Sequence, residues 1–550
     1  MKRFRKIWPI LAAAAILFSC SKDDITVIPD PGKEQEQPGK PGEQPETPPE
    51  PEKSLSGTVI YGGAGLDFGK AHIITKISFT VNPGSGGREV LAVFQGANSA
   101  DWSDAMPLLM IKQPASPGAM VQMEVNCSKG FRYVRYVTAD NSGSNLSSMA
   151  FFGREGEGDD SNYYQITNLP TVIINTEGGR DVTTRSAYIQ SSVYIVSEEG
   201  KSFFQAPGTG IKGRGNASWD FPKKPYKLKF AEKRRVLGSP SIDRKWTLIN
   251  NYGDKTLMRN ILAFEVSRRV GMAYTPFSTP VDVLFNGRYM GCYQLCDQVE
   301  VGENRVPAKN GYLIEIDAYA RGEPRNFYSD KGTPVTVKYP QDDVITDAQM
   351  TFIQDYFRKL ETAVFALNYT DGAEGYRKYM DLDSFLRNFI AGEFCGNTDT
   401  YWSVNMYKDA SNGVFYTGPA WDYDLAFDND NRTFPINNIN DYIFVSRGSV
   451  ASDAVRSMVK RIVKGDSSAK ARLVEIWDGV KPALMDLDDY VDETAALLDQ
   501  SQELNFIRWP ILNEYVHQNP RIYGSYSGEV NNVKAYVTRR LTKFDELVRK

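Results

Sequence analysis

Gly210-Ile-Lys-Gly-Arg-Gly-Asn-Ala-Ser-Trp219 is a glycine-rich turn, and Pro222-Lys-Lys-Pro-Tyr-Lys-Leu-Lys-Phe230 follows it as a basic segment. Apolar and basic residues alternate at the end of this segment, so a β-strand there places Lys227 and Lys229 on one face. The glycines leave backbone N–H groups exposed around Arg214, and clustered donors and cations are typical of phosphate sites. The spacing does not match a P-loop. A solvated basic strand face is the alternative interpretation.

Two acidic segments further along the chain predict a metal site. Asp399 lies in a loop after a predicted helix, and Asn405 lies near the start of the next predicted strand. Asp422 and Asp424 follow in Gly418-Pro-Ala-Trp-Asp-Tyr-Asp-Leu-Ala-Phe427. These residues would present hard oxygen ligands beside a proton acceptor, the combination that Mg²⁺ with bound phosphates needs. Helix capping or salt bridging by Asp422 and Asp424 is the alternative.

Hydrophobic periodicity predicts two helices close to these polar segments. One spans residues 254–269, with Asp254 as its N-cap. The other spans residues 383–394, with Asp383 as its N-cap and Gly396 just beyond its end.

Strand-like segments on both sides of Asn286-Gly287 predict a β-hairpin with a type I′ turn. Cys292 and Cys296 lie on one face of its second strand, about 13 Å apart. Because this separation is too long for a disulfide, both are expected to be buried free thiols.

The composition excludes several functional classes. The chain has 550 residues, of which 64 are Lys or Arg and 68 are Asp or Glu, so no basic footprint indicates nucleic-acid binding. The only histidines are His72 and His517, and neither lies beside a matching motif. Most histidine-dependent hydrolases and zinc enzymes are therefore excluded, and both histidines are expected to be structural.

Residues 1–20 predict a lipoprotein signal peptide. A charged start precedes an apolar run that ends in Leu17-Phe-Ser-Cys20, which resembles the bacterial lipobox. We therefore expect lipidation of Cys20 and anchoring to the bacterial outer membrane, on the periplasmic or the cell-surface side. Residues 21–54 are rich in Pro and Glu and predict a disordered spacer.

Residues 55–153 predict an all-β sandwich, because short alternating segments are separated by turn residues. Phe94-Gln-Gly-Ala-Asn98, Phe131-Arg-Tyr-Val-Arg-Tyr136 and Ala150-Phe-Phe-Gly153 resemble the discoidin-like (galactose-binding-like) modules. The resemblance implies a jelly roll and a glycan as a candidate partner, but it assigns no binding residues. Trp102 either stacks on a sugar or packs within its own loop.

After a joint at 154–165, the motifs of residues 166–550 occur in the order found in the CotH (spore coat protein H) family, which they resemble. The motifs are Leu169-Pro170, Lys212-Gly-Arg-Gly-Asn216, Lys223-Lys-Pro-Tyr-Lys-Leu-Lys229, Leu257-Met-Arg-Asn260, Gly396-Asn-Thr-Asp399 and Trp421-Asp-Tyr-Asp424. Members of that family are atypical protein kinases. The resemblance therefore implies an α+β domain with a divergent protein-kinase-like fold, which uses ATP and Mg²⁺.

The resemblance also implies a role for each matching residue. Asp399 would accept or orient the proton of the substrate hydroxyl, and Asp422 would bind Mg²⁺ as the DFG aspartate does, although no DFG is present. Asn405 and Asp424 would add metal ligands, and Glu265 would pair with a phosphate-binding cation. The candidates for that cation and for contact with the triphosphate are Arg214, Lys224, Lys227 and Lys229.

Three functions remain open from the sequence. The first is ATP-dependent phosphorylation of Ser or Thr in secreted or surface proteins, for which positioning and charge neutralisation suffice. The second is an inactive kinase-like scaffold whose front module binds carbohydrate, since ATP is scarce outside the cell. The third is a glycosidase that uses Asp399 and Asp422, which leaves the basic strand unexplained.

Overall fold

The computed structural model describes residues 53–84, 87–341, 343–410, 413–432, 437–445 and 453–550. The predicted signal peptide, with Cys20, and nearly all of the spacer lie outside the described residues. Within the ranges above, every helix is too short or too polar to cross a membrane.

The first part of the described chain is an eight-stranded branched sheet, consistent with the predicted β-sandwich. Its path is β1-β8-β3-β7-β4-β5, while β2 and β6 also pair with the long strand β3. Phe94 packs against Phe79 and Phe151 at the centre of its core. The strands are β1 Lys53–Ser54, β2 Thr58–Ile60, β3 Gly65–Val81, β4 Val93–Ala97, β5 Met106–Met110, β6 Met120–Glu124, β7 Gly130–Val137 and β8 Leu146–Glu155.

Trp102 packs within its loop and does not present a face for a sugar. Its side chain is 6% exposed, and its Nε1 donates a hydrogen bond to the Tyr61 hydroxyl at 2.6 Å. The Arg135 guanidinium lies over its ring, 4.0 Å from the centroid. The packed alternative is therefore the one the structure has.

Seven strands then form a closed barrel in the order β10-β11-β12-β13-β15-β14-β9, closed by parallel pairing of β9 with β14. The type I′ hairpin is confirmed, since Asn286 and Gly287 between β14 and β15 have φ values of 51° and 83°. Cys292 and Cys296 are buried free thiols, as expected. The strands are β9 Thr171–Thr176, β10 Ile189–Ser197, β11 Ser202–Gly213, β12 Tyr226–Arg234, β13 Asp243–Ile249, β14 Ser278–Phe285 and β15 Arg288–Asp297.

The front sheet and the barrel share one hydrophobic core. Tyr194 of β10 and Leu284 of β14 belong to the same buried cluster as Phe79 of β3. Asn175 of β9 donates a hydrogen bond to the carbonyl of Ala105 at 2.9 Å. The first two sheets therefore pack as one body.

The rest of the chain combines a five-stranded antiparallel sheet, in the order β17-β18-β16-β19-β20, with most of the helices around one large core. Its strands are β16 Tyr312–Asp317, β17 Asn326–Tyr328, β18 Pro334–Tyr339, β19 Ser403–Lys408 and β20 Tyr416–Thr417. The α-helices are α1 Ala217–Asp220, α2 Arg259–Arg269, α3 Asp347–Phe365, α4 Leu382–Cys395, α5 Asn437–Asn440, α6 Asp453–Gly465, α7 Ser467–Val480, α8 Leu487–Arg508 and α9 Tyr526–Arg549.

Both predicted helix starts need correction. Helix α2 begins at Arg259, and Asp254 reaches its first turn from five residues upstream by accepting the Arg259 backbone N–H at 2.8 Å. Helix α4 is capped by Asp381, which accepts the Ser384 N–H, whereas Asp383 pairs with Arg472 at 2.6 Å. Gly396 ends α4 in the left-handed region, as predicted.

Candidate functional site

Asp399 and Asp422 interact electrostatically although they lie in different loops, and we call the space beside them, towards Arg214, the candidate cleft. Asp399 follows α4, and Asp422 follows β20 in the segment that leads back to the helical core. Asp422 is accessible to solvent, yet the protein surrounds it closely enough for desolvation to raise its pKa to about 6. Arg214 opposes this rise in the pKa, and the charge of Asp399 adds to it. The two aspartates and Arg214 are thus electrostatic neighbours.

Asp424 belongs to the same group of acids. Burial raises its pKa well above the ordinary value, and the charges of Asp422, Asp399 and Asp254 raise it further. Three carboxylates that raise one another's pKa values favour a cation among them. We call Asp399, Asp422 and Asp424 the acidic wall.

Arg432 holds Asp399 in place. Its guanidinium lies 3.2 Å from Asp399 and 2.5 Å from Asp430. Desolvation nevertheless raises the pKa of Asp399, with Arg432 opposing the rise and Asp430 adding to it. Asp399 is therefore an oriented carboxylate with increased basicity, which suits a proton acceptor.

Asn405 lies next to the acidic wall on β19. Its amide donates a hydrogen bond to the Pro419 carbonyl at 3.2 Å, and it pairs directly across the sheet with Glu315 of β16. Glu315 and Asp317 alternate onto one face of β16, and both raise the pKa of Asp422. These two acids are not among the residues predicted for the site from the sequence, although their period-two spacing was the available signal.

The acidic side fits magnesium bound together with a nucleotide. Within the described ranges, no three His, Cys, Asp or Glu side chains form a preformed metal cluster. Mg²⁺ commonly takes only one or two carboxylates and completes its shell with phosphate oxygens and water. Asp422 and Asp424 can supply the carboxylates, and Asn405 can supply an amide oxygen.

Four lysines lie on neighbouring strands at the outer face of the barrel, and Arg214 is close enough to Lys227 to lower its pKa. We call Lys212, Lys227, Lys229 and Lys245 the lysine face. Lys212 of β11 pairs directly with Lys227 of β12, and Lys229 of β12 pairs with Lys245 of β13. The intervening Leu228 points into the barrel core. Like charges directly opposite each other destabilise a sheet.

This repulsion is only partly compensated. Lys245 has an ion pair with Glu300 at 2.9 Å. The side chains of Lys212, Lys227 and Lys229 make no hydrogen bond or ion pair within the described part of the chain, and those of Lys212 and Lys229 lie over the Tyr188 ring, 4.8 and 5.8 Å from its centroid. Burial lowers the pKa of Lys227 to about 8, and the charge of Lys245 lowers it further. An anionic ligand would relieve both the burial and the repulsion.

Arg214 connects the two sides of the cleft. It lowers the pKa of Asp422 and also that of Lys227, so it is close to both. Its guanidinium lies over Trp421, 5.6 Å from the ring centroid. A phosphate between the lysine face and the acidic wall would therefore meet Arg214.

Two predicted contacts differ in the structure. Lys224 donates to the Trp219 carbonyl at 2.7 Å and lies over the Trp219 ring, so it supports the glycine-rich turn. Glu265 pairs with Arg268 and Arg269 of its own helix at 2.9 and 2.8 Å, and not with a phosphate-facing cation. Residues three and four apart are neighbours on a helix, which explains this local pairing.

His517, expected to be structural, lies beside the acidic wall. Its ring centroid is 5.5 Å from that of Phe221, and the space around Gly253 is bordered by His517 and Asp424. Burial lowers the pKa of His517, and Arg432 lowers it further. Its isolation in the sequence gave no signal for this position.

Comparisons with known proteins give one match that covers most of the chain. Residues 211–543, more than half of the 550, match the family model described as CotH kinase protein. Among solved structures, CBM62 from Clostridium thermocellum Xyl5A is 32% identical, over 19% of this chain and 98% of that chain, with a TM-score of 0.18. The comparison with curated proteins found no match.

Proposed function

Because the chain belongs to the CotH kinase protein family, we propose that it is an ATP- and Mg²⁺-dependent protein kinase that phosphorylates Ser or Thr hydroxyls of secreted or surface proteins. The observation that carries the proposal is the electrostatic neighbourhood of Asp399, Asp422 and Arg214 at one cleft. Asp399 would serve as the proton acceptor, Asp422 as the metal-binding carboxylate and Arg214 as the phosphate-binding cation. Phosphoryl transfer requires mainly this positioning and charge neutralisation.

The residues of the acidic wall would have two different roles, metal binding and proton acceptance. Asp422 and Asp424, with Asn405, would hold Mg²⁺, which supplies charge neutralisation to the phosphates when bound. Asp399 accepts the proton of the substrate hydroxyl, since burial raises its pKa and Arg432 fixes its orientation. A more basic carboxylate is a better proton acceptor near neutral pH.

The lysine face and Arg214 would bind the phosphates of the nucleotide. Lys227 and Lys212 lie in the row nearer to Arg214, and Lys229 and Lys245 lie in the next row along the strands. Their unbalanced charge is neutralised by the polyanion, and the glycine-rich turn beside Arg214 adds backbone donors. This arrangement explains the basic strand that a glycosidase leaves without a role.

A second candidate is an inactive kinase-like scaffold whose front sheet binds carbohydrate. The shared core of the front sheet and the barrel favours it, because a glycan bound by the front sheet would hold the whole body. In either case we propose lipid anchoring through Cys20 to the outer membrane, with the folded part on the periplasmic or cell-surface side.

A thermal-shift assay with radiolabelled ATP separates the two candidates. The kinase is expected to melt at a higher temperature with ATP and Mg²⁺ together, and to transfer label to itself or to a generic protein substrate. Asp422→Ala is expected to abolish both responses, whereas Asp220→Ala, at an exposed position in α1, is the matched control. No shift and no label in the wild type would overturn the kinase proposal, and binding on a glycan array would then support the scaffold.

A further inference from the structure

The peptide bond after Asp422 is held on both sides by buried amide side chains. Asn397 donates from Nδ2 to the Asp422 carbonyl at 3.2 Å, and the Tyr423 N–H donates to Oδ1 of Asn260 at 2.8 Å. Asn397 is 0% exposed and Asn260 is 2% exposed. Both amide side chains are therefore shielded from water, and together they favour one orientation of the peptide plane.

This peptide needs support because of its backbone conformation. Asp422 has φ of 67°, in the left-handed region that non-glycine residues rarely adopt. Such conformations persist where the surroundings over-determine them, and they concentrate at functional sites. Because the carboxylate orientation follows from the backbone, the two bonds to the peptide also aim the Asp422 side chain.

Asn397 also contacts the other aspartate of the cleft. Its Oδ1 accepts the Asp399 backbone N–H at 3.4 Å, while its Nδ2 donates to the Asp422 carbonyl. One rigid amide therefore contacts the backbone of both residues. Exchanging its oxygen and nitrogen would place acceptor against acceptor and donor against donor, so the network determines the assignment.

Asn260 is itself fixed at the start of α2. Its neighbour Arg259 is fully buried, donates from Nε to the Ala426 carbonyl at 3.1 Å and pairs with Asp254 at 2.5 Å. The first turn of α2 thus holds the segment that contains Asp422 at two points. This assigns a function to the Leu257-Met-Arg-Asn260 motif, which the sequence analysis left without one.

We propose that Asn397 and Asn260 are positioning residues that clamp the Asp422–Tyr423 peptide, and that Asn397 sets the distance between Asp399 and Asp422. This inference rests on the proposed kinase function for its catalytic consequence, but the clamp itself does not depend on it. The clamp uses a donor on one side and an acceptor on the other. That asymmetry allows a charge-matched test.

The test compares Asn397→Asp with Asn260→Asp, which have nearly unchanged shape and each add one carboxylate near Asp422. Asn260→Asp keeps the oxygen that accepts the Tyr423 N–H, whereas Asn397→Asp loses the N–H donor to the Asp422 carbonyl. We expect Asn397→Asp to lower kcat at saturating Mg²⁺ and ATP at least 100-fold, with KM for ATP within threefold. Asn260→Asp is expected to stay within tenfold of the wild type in kcat.

Hydrogen exchange measured by mass spectrometry on peptides covering 418–427 provides the second readout. We expect at least tenfold faster exchange in Asn397→Asp and in Asn260→Leu, but unchanged exchange in Asn260→Asp. Equal exchange in all variants, or equal kcat losses in the two aspartate variants, would overturn the clamp. If Asn397→Asp fails to fold, Asn397→Ser, which is too short to bridge, replaces it. If the wild type transfers no phosphate, the proposed function fails and the exchange data alone decide the clamp.

Discussion

The two sides of the cleft carry opposite charge and are also held in opposite ways. In the acidic wall, Arg432 binds Asp399, and buried amides fix the backbone around Asp422. On the lysine face, Lys212 and Lys227 lie opposite each other, and neither side chain has a hydrogen bond or ion pair among the described residues, although Lys212 lies over the Tyr188 ring, 4.8 Å from its centroid. We infer that the acids are positioned in advance and that the cations would be positioned by an anionic ligand. A cleft of this kind costs stability without its ligand and regains it on binding.

The largest expected effect separates the two aspartates of the acidic wall. Asp399→Asn should lower phosphoryl transfer at least about 1000-fold, because it removes the proton acceptor. The thermal shift with ATP and Mg²⁺ should persist, in contrast to Asp422→Ala. Single-turnover labelling and thermal-shift titration measure the two responses. Loss of the shift in Asp399→Asn would show that both aspartates serve the metal.

Asp428, which lies outside the acidic wall, differs from Asp399 because its carboxylate is buried without a bound partner among the described side chains. Asp428 is 5% exposed, and neither of its carboxylate oxygens has a hydrogen-bond partner among the residues that the structure describes. Burial raises its pKa to about 7, with Arg259 opposing the rise. Because the pKa of this carboxyl is higher in the folded than in the unfolded state, its ionisation lowers the free energy of unfolding of the protein as the pH rises from about 4 through 7.

Asp428→Asn should therefore raise the free energy of unfolding at pH 7.5 by about 2 kcal/mol and flatten its pH dependence between pH 4 and 7. Urea unfolding at several pH values measures both. Asp430→Asn is the matched control, since Asp430 accepts bonds from Thr398 and Arg432 and its loss should destabilise. An equal destabilisation by Asp428→Asn would show that its carboxylate has a partner in solution.

The lysine face should respond in the opposite direction with and without nucleotide. Lys212→Gln with Lys227→Gln should raise the free energy of unfolding of the free protein by about 1 kcal/mol, because it removes a like-charge pair. KM for ATP should rise about tenfold, since two phosphate contacts are lost. Lys201→Gln, at an exposed position away from the cleft, should change neither quantity. Destabilisation of the free double variant would refute the repulsion.

The smallest expected effect is a pH dependence of nucleotide binding. Lys227 has its folded-state pKa lowered to about 8, so its charge is present below pH 8 and lost above it. KM for ATP should therefore rise about threefold between pH 7 and 9. Lys227→Arg, which keeps its charge throughout this range, should remove the dependence. If KM for ATP depends on pH to the same extent in the wild type and in Lys227→Arg, the dependence comes from a group other than Lys227.

Sequence reasoning located the elements better than the contacts. The alternation of Tyr226–Phe230 predicted the strand that carries Lys227 and Lys229, and Asn286-Gly287 predicted the hairpin of β14 and β15, because period and turn chemistry are local. Which acid caps a helix is decided by distant partners. Asp383 meets Arg472 from α7, so Asp381 takes the capping position of α4.

The site shows the same limit. Asp399 and Asp422 were proposed from the oxygen ligands of their two segments and from the motifs that resemble the family, whereas their proximity in space depends on tertiary packing. Lys224 carries the same charge as Lys227, yet its bond to the Trp219 carbonyl gives it a different position. His517 could not be assigned, because no residue adjacent to it in the sequence indicates that it approaches Asp424.

The core that joins the front sheet to the barrel sets how the chain can be divided. Composition places a joint at 154–165, but the apolar side chains of Tyr194, Leu284 and Tyr289 are covered from the other side of that joint. A fragment beginning at residue 166 would expose this apolar surface to solvent and would be prone to aggregate. The front sheet is thus an integral part of the folded body, and it cannot be removed or exchanged without exposing the core of the barrel.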